Sequence, residues 1–278
     1  MRRLESGEDK KSRGRELIIL GLVMIGFMFV MYSRYQDPET LTPDAIESIH
    51  RIAYGFYIVL IAAFGAIGFG LYRYHGEKVR AAKKDLFTII AVITWNKKSR
   101  KIAVSTFIGY GIFFSLASGT LVYQPEISFS EHYGAEIPSG FVAPCCGDLG
   151  YMPQVIIYLT DSVGLNIIPI NFVLQITVSY LVALNAAIAV SAYNISKKGR
   201  GFSTIGAITG LFIACPTCAG TFFSIFVGTA SGIGLSVFLT QMQTFFIAIS
   251  IPVLLVTPFL MAKKLQNSDG SCDITLTK

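Results

Sequence analysis

Six stretches of the chain carry no Asp, Glu, Lys, Arg or His and are long enough to cross a bilayer as helices. They are Leu17–Ser33, Ile52–Tyr72, Ile102–Tyr123, about Pro169–Tyr193, about Ser203–Val227 and about Leu235–Ala262. A hydrocarbon core of about 30 Å takes about 20 residues of helix. The pattern therefore predicts an all-α integral membrane protein, a six-helix transmembrane bundle filling residues 17–262. A basic N-terminus (1–16) and a polar tail (263–278) flank it.

Two shorter apolar runs are expected to lie along the membrane surface. Leu86–Trp95 is too short to span, is bracketed by Lys83, Lys84, Lys97 and Lys98, and ends in Trp95, which predicts an interfacial helix. Tyr151–Asn166, led by Pro153, predicts a second one inside the longest connection, residues 124–168. Thr42-Pro43-Asp44 marks a helix start with proline in the first turn. Pro252 and Pro258 are expected to kink span six. Gly206 and Gly210, and more loosely Gly21 and Gly26, allow close helix approach.

Composition agrees with this pattern. Of the 278 residues 53% are apolar and 14% charged, against about a quarter charged in a soluble domain. This excludes a disordered chain, a disulfide mini-protein and an ordinary soluble enzyme. The charges also sort by loop. All of the 23 basic residues except Arg34 and Arg51 fall in the N-terminus, the connections between spans two and three and spans four and five, and the tail. The positive-inside rule then makes both termini cytoplasmic. The net charge of +6 is an orientation and lipid signal, with no aromatic interleaving for nucleic acid. Leu17–Ser33 lacks a small-residue cleavage site and reads as a retained anchor.

The candidate chemistry is sulfur. Among the five cysteines, Cys272 lies in the tail. Cys145 and Cys146 are adjacent in the outer connection, between Pro144 and Gly147. Cys215-Pro216-Thr217-Cys218 lies inside span five, roughly 18–22 Å from its cytoplasmic end at 1.5 Å per residue, so in the outer half. Pro216 breaks the helix there; free N–H groups of the next turn would then stabilise a Cys215 thiolate. The local pattern resembles the C-P-x-C of glutaredoxins over these residues alone. Four thiolates could bind a soft ion such as copper or zinc, or exchange disulfides, or form structural bridges between the outer loop and span five. Asn171 and Gln175, one turn apart on span four, could line the same cavity. Asp44, Glu47 and His50 form a weaker alternative metal set.

Absences narrow the field further. There is no ionisable side chain within a span for a proton relay, no P-loop, no dinucleotide fingerprint, no H-E-x-x-H, and no intramembrane histidine for haem or a His-rich copper centre.

Pro144-Cys145-Cys146-Gly147 followed by Cys215-Pro216-Thr217-Cys218-Ala219-Gly220 resembles a group of archaeal-type polytopic membrane proteins that share an outer Cys-Cys pair and a later C-P-T-C-A-G span. The resemblance covers roughly the C-terminal half; it implies a fold of membrane helices and supplies no activity. A mercury transporter family also carries adjacent cysteines, but within a membrane helix; here the pair is in a loop and that role is not carried over. The expectation is a membrane protein with a four-cysteine site for soft-metal binding or thiol–disulfide exchange. The alternative is an accessory subunit of a larger membrane complex, such as a copper-dependent oxidase or monooxygenase, with the cysteines as structural bridges.

Overall fold

In the computed structural model the charge-free runs become long helices, because a segment without water must satisfy its backbone internally. The structure describes residues 5–35, 43–81, 86–126, 128–145, 147, 149–196, 251–260 and 263. Its helices are α1 (Glu5–Ser33), α2 (Pro43–Ala81), α3 (Leu86–Trp95), α4 (Lys97–Ala117), a short α5 (Phe129–Tyr133), α6 (Pro169–Ser196) and α7 (Ile251–Leu260). Three of them, over Arg13–Ser33, Glu47–Arg80 and Pro169–Ser191, are long and apolar enough to cross a membrane. The protein is a mainly helical membrane protein. Pro43 opens α2 as the sequence predicts, and Leu86–Trp95 is a helix over the expected bounds.

The third expected span, Ile102–Tyr123, is shorter than hydropathy implies. Its helix stops at Ala117, where Gly119 takes a left-handed conformation (φ +70°). Leu121–Tyr123 then turns into a strand, β1. α4 also opens on Lys97, Lys98, Arg100 and Lys101, which leaves its uncharged part too short to join the three spanning helices. The fifth span and most of the sixth lie outside the described residues.

The connection between α4 and α6 is where the all-helical expectation fails. It holds a four-stranded antiparallel sheet ordered β1-β4-β3-β2, with β2 (Ser139–Ala143), β3 (Gln154–Tyr158) and β4 (Val163–Ile167). Tyr151–Asn166, expected as an interfacial helix, is thus mostly a hairpin. Val155, Ile156 and Ile157 are β-branched and favour extended backbone. Thr160-Asp161-Ser162 then supplies a turn, with Thr160 Oγ1 accepting from Val163 N at 3.1 Å. A short apolar run has no periodicity that separates strand from helix.

The contacts divide into two units. The first comprises residues 1–77 and 113–175. Its core is Ile25, Tyr32, Ala53, Phe56, Leu60, Ala63 and Val142, so strand β2 packs with α1 and α2. The two helices approach closely at glycines. A Cβ on Gly70 would stand 2.9 Å from the Gly14 carbonyl oxygen, and one on Gly21 2.9 Å from that of Ala63. Gly26 faces open space, so the looser Gly21/Gly26 pairing is replaced by Gly14, Gly21 and Gly70 across the helix pair.

The second unit comprises residues 78–112 and 176–278. Its core joins Val178, Leu181 and Val182 of α6 to Leu254 of α7, with Tyr110 and Ile251 against them. Pro258 has no N–H, so the Leu254 carbonyl one turn earlier loses its helical donor. Asn185, 1% exposed, fills the gap: its Nδ2 lies 3.0 Å from that carbonyl and 2.8 Å from the Leu181 carbonyl. Asn185→Ala is expected to cost about 1–2 kcal/mol, read as a lowered melting temperature in detergent. Pro258→Ala restores the missing N–H and should recover part of that loss; no recovery would show that the amide does not stand in for it.

Candidate functional site

The loop that carries the vicinal cysteines closes the β2–β3 hairpin. Val142 pairs with Val155 and Ala143 with Gln154, leaving Pro144–Pro153 to make the turn. Two tyrosines hold it. Tyr32, 2% exposed near the end of α1, donates its hydroxyl to the Pro144 carbonyl at 2.5 Å. Tyr57 on α2 donates to the Pro153 carbonyl at 2.6 Å and approaches the Ile167 carbonyl at 3.1 Å. One hydroxyl thus anchors the residue before Cys145, and the other anchors the far end of the loop together with the end of β4.

Both tyrosines rest on one ring. Phe56, fully buried, meets Tyr32 at 5.3 Å, Tyr57 at 5.6 Å and Phe29 at 5.6 Å, all edge-to-face. Such aromatic pairs add about 0.5–1.5 kcal/mol each beyond area burial and fix the direction of the two hydroxyls. The loop backbone is shaped to fit. Gly150 has φ +86° and packs on Phe29 and Ile170; its carbonyl accepts from Ile170 N at 3.0 Å. A Cβ on Gly147 would strike Met152 Cγ at 2.9 Å.

Cys145 is half-buried within this frame, near the Tyr32 hydroxyl. Cys146, Cys215, Pro216 and Cys218, the other members of the expected sulfur site, lie outside the described residues. Asn171, half-buried, follows Ile170 and so sits where α6 begins against the cysteine loop. Gln175 turns to α4, its Nε2 2.5 Å from Ser115 Oγ, the interhelical bond that polar residues make in apolar helices. Of the weaker metal set, Glu47 pairs with Arg51 at 2.6 Å, both exposed; His50 is half-buried, and the Asp44 side chain lies outside the described residues. Among the described residues no three His, Cys, Asp or Glu side chains are grouped to hold a metal ion.

Tyr32, Tyr57 and Phe56 were not legible as site residues. The available signal was weak: a buried tyrosine hydroxyl requires a partner, but Tyr57 shares its apolar span with Tyr54 and Tyr72. A second polar lock was also hidden. Asp161 in the β3–β4 turn accepts from Ser130 Oγ at 2.5 Å and Ser128 Oγ at 3.2 Å, while its carbonyl accepts from Phe129 N at 2.9 Å. Phe129 at the start of α5 then covers Gly164, where a Cβ would stand 3.3 Å from its ring.

No protein-family model matches the chain, and no curated protein or solved structure is significantly similar to it.

Two outcomes follow from these locks. With every other cysteine replaced by serine, Tyr32→Phe should raise the rate of Cys145 alkylation by maleimide several-fold, because the Pro144 carbonyl loses a bond worth about 1–2 kcal/mol. Tyr54→Phe, at a 57% exposed tyrosine on the same helix pair, should leave the rate unchanged. The Ser130 hydroxyl, with that of Ser128, holds the Asp161 carboxyl below its ordinary range. A depressed carboxyl contributes stability above its unfolded value that is lost as pH falls. The protection factors of the Phe129 and Val163 amides, with the intrinsic exchange rate divided out, should therefore fall on acidification below about pH 4, and Asp161→Asn should flatten that dependence.

Proposed function

We propose that the chain is a multi-pass membrane protein with six spans and cytoplasmic termini. Its Cys145–Cys146 loop faces the extracytoplasmic side and works with Cys215 and Cys218 as a thiol site for a soft metal ion or for disulfide exchange. The observation that carries this reading is the clasp. Pro144 and Pro153 are fixed by hydroxyls from two different helices, yet Cys145 between them keeps partial exposure. A chelating or exchanging thiol needs a held position and an open approach, and ligands are best held by packing and hydrogen bonds behind them. A thiolate is the species required in both chemistries.

A second reading, an accessory subunit whose cysteines form structural bridges, draws on the sheet. Tyr123, Tyr133, Phe141 and Leu159 are 66%, 58%, 48% and 46% exposed, a set of large side chains suited to a neighbouring subunit.

Anaerobic purification of the full chain separates these readings. Metal content and thiol count are measured by mass spectrometry, with and without reductant, in the wild type, in Cys145→Ser/Cys146→Ser and in Cys215→Ser/Cys218→Ser. The thiol site predicts either a soft ion lost from both double variants or a reducible bridge between the two pairs that forms and opens with added thiol. A permanent bridge, co-purified partners and a loss of about 2–5 kcal/mol on its removal would establish the accessory subunit instead. Four independently alkylated thiols with neither metal nor bridge would overturn both.

A further inference from the structure

The second unit carries a cationic face that the thiol site does not use. Lys97, Lys98, Arg100 and Lys101 are all exposed at the start of α4. Lys263, one turn past Phe259, is exposed as well. Lys78 Nζ lies 5.8 Å from the centre of the Phe87 ring, and Phe87 meets Phe259 edge-on at 5.2 Å. The end of α2, the start of α3 and the end of α7 therefore join at one aromatic seam bordered by lysines. The described residues of this unit include no Asp or Glu.

The surroundings of the cations indicate which anions. Directly after Lys101, α4 exposes Val104, Phe107 and Ile108 at 52%, 37% and 54%. Trp95, half-buried at the end of α3, adds the amphipathic ring that settles at headgroup level. Ammonium and guanidinium groups that pass within one turn into exposed apolar side chains match a molecule with a phosphate at one end and an acyl chain at the other. An acidic polypeptide or a nucleic acid would match the charges and leave the adjoining apolar surface in water.

We propose that this face binds the headgroups of anionic phospholipids, with α3 lying among them. The proposal rests on the membrane character of the helices and is independent of the cysteines. Juxtamembrane cations act on an anionic surface within about a Debye length, roughly 10 Å at 0.1 M salt, so the interaction is salt-sensitive.

The test uses the full chain in a neutral maltoside detergent, melted with added phosphatidylglycerol or phosphatidylcholine. Phosphatidylglycerol is expected to raise the melting temperature by several degrees more than phosphatidylcholine, and about 0.5 M NaCl to remove most of that difference. Lys97→Gln/Lys98→Gln/Arg100→Gln/Lys101→Gln should abolish the difference while melting normally in phosphatidylcholine. Lys97→Arg/Lys98→Arg/Lys101→Arg should keep it. If the quadruple variant does not fold, single glutamine variants should each reduce the difference. Equal effects of the two lipids, or an undiminished effect in the glutamine variants, would overturn the proposal. So would glycerol phosphate alone reproducing the shift, which would mark a free-phosphate site. Polyglutamate reproducing it would assign the face to an acidic protein segment instead.

Discussion

The described structure depends on giving every backbone carbonyl a donor where water is scarce. Helices meet that demand internally until something interrupts them, and three carbonyls left over here are met by a side chain from another element. Pro258 frees the Leu254 carbonyl, and Asn185 reaches it. The ends of the β2–β3 loop leave the Pro144 and Pro153 carbonyls outside the ladder, and Tyr32 and Tyr57 reach them. An unpaired buried group costs about 1–3 kcal/mol, comparable to a large part of a domain's net stability of about 5–15 kcal/mol. Tyr32, Tyr57 and Asn185 are thus polar residues of apolar helices whose partners are carbonyls outside any ladder.

The same demand explains why the sheet lies where it does. Its four strands take up the backbone of a connection too long to remain irregular, and its inner residues Val142 and Val155 complete the core built by α1 and α2. Edge strands β1 and β2 are short, which limits pairing with other chains. The Asp161 lock closes the β3–β4 turn onto α5, so Phe129 can cover the glycine of β4. The cysteine loop therefore hangs from a folded support and a helix pair.

Hydropathy made α1, α2 and α6 legible, because absence of charge over a long run has few other meanings. Pro43 and the run Leu86–Trp95 gave element bounds directly. The strand Leu121–Tyr123 did not show itself, since three apolar residues after a helix look like its continuation until Gly119 turns the chain. Tyr151–Asn166 was legible as apolar and misread as helical; its Thr-Asp-Ser turn was the discriminating feature. Within the site, Cys145 stood out by chemistry alone. Tyr32 and Tyr57 did not, because their role is set by carbonyls more than 90 residues away in sequence, and no local pattern encodes such a pairing. Asn185 presents the same difficulty: its partner is the particular carbonyl freed by Pro258, 69 residues away.

The rigidity of the loop also bears on what its thiols can be for. A purely structural disulfide stabilises mainly by restricting the unfolded chain, so its effect does not depend on how firmly the folded segment is held. The segment here is already tied at both ends by hydroxyl bonds and in the middle by Gly150 against Phe29 and Ile170. Those ties act on the folded loop, whereas a bridge would act on the unfolded chain, so the two do not replace one another. Holding Cys145 in place before any bond to sulfur is made has its value in recognition or exchange, where the cost of ordering the site is met in advance. What recognition or exchange would require of a thiol, a held position, is thus supplied by the neighbours of Cys145 and not by the sulfur itself.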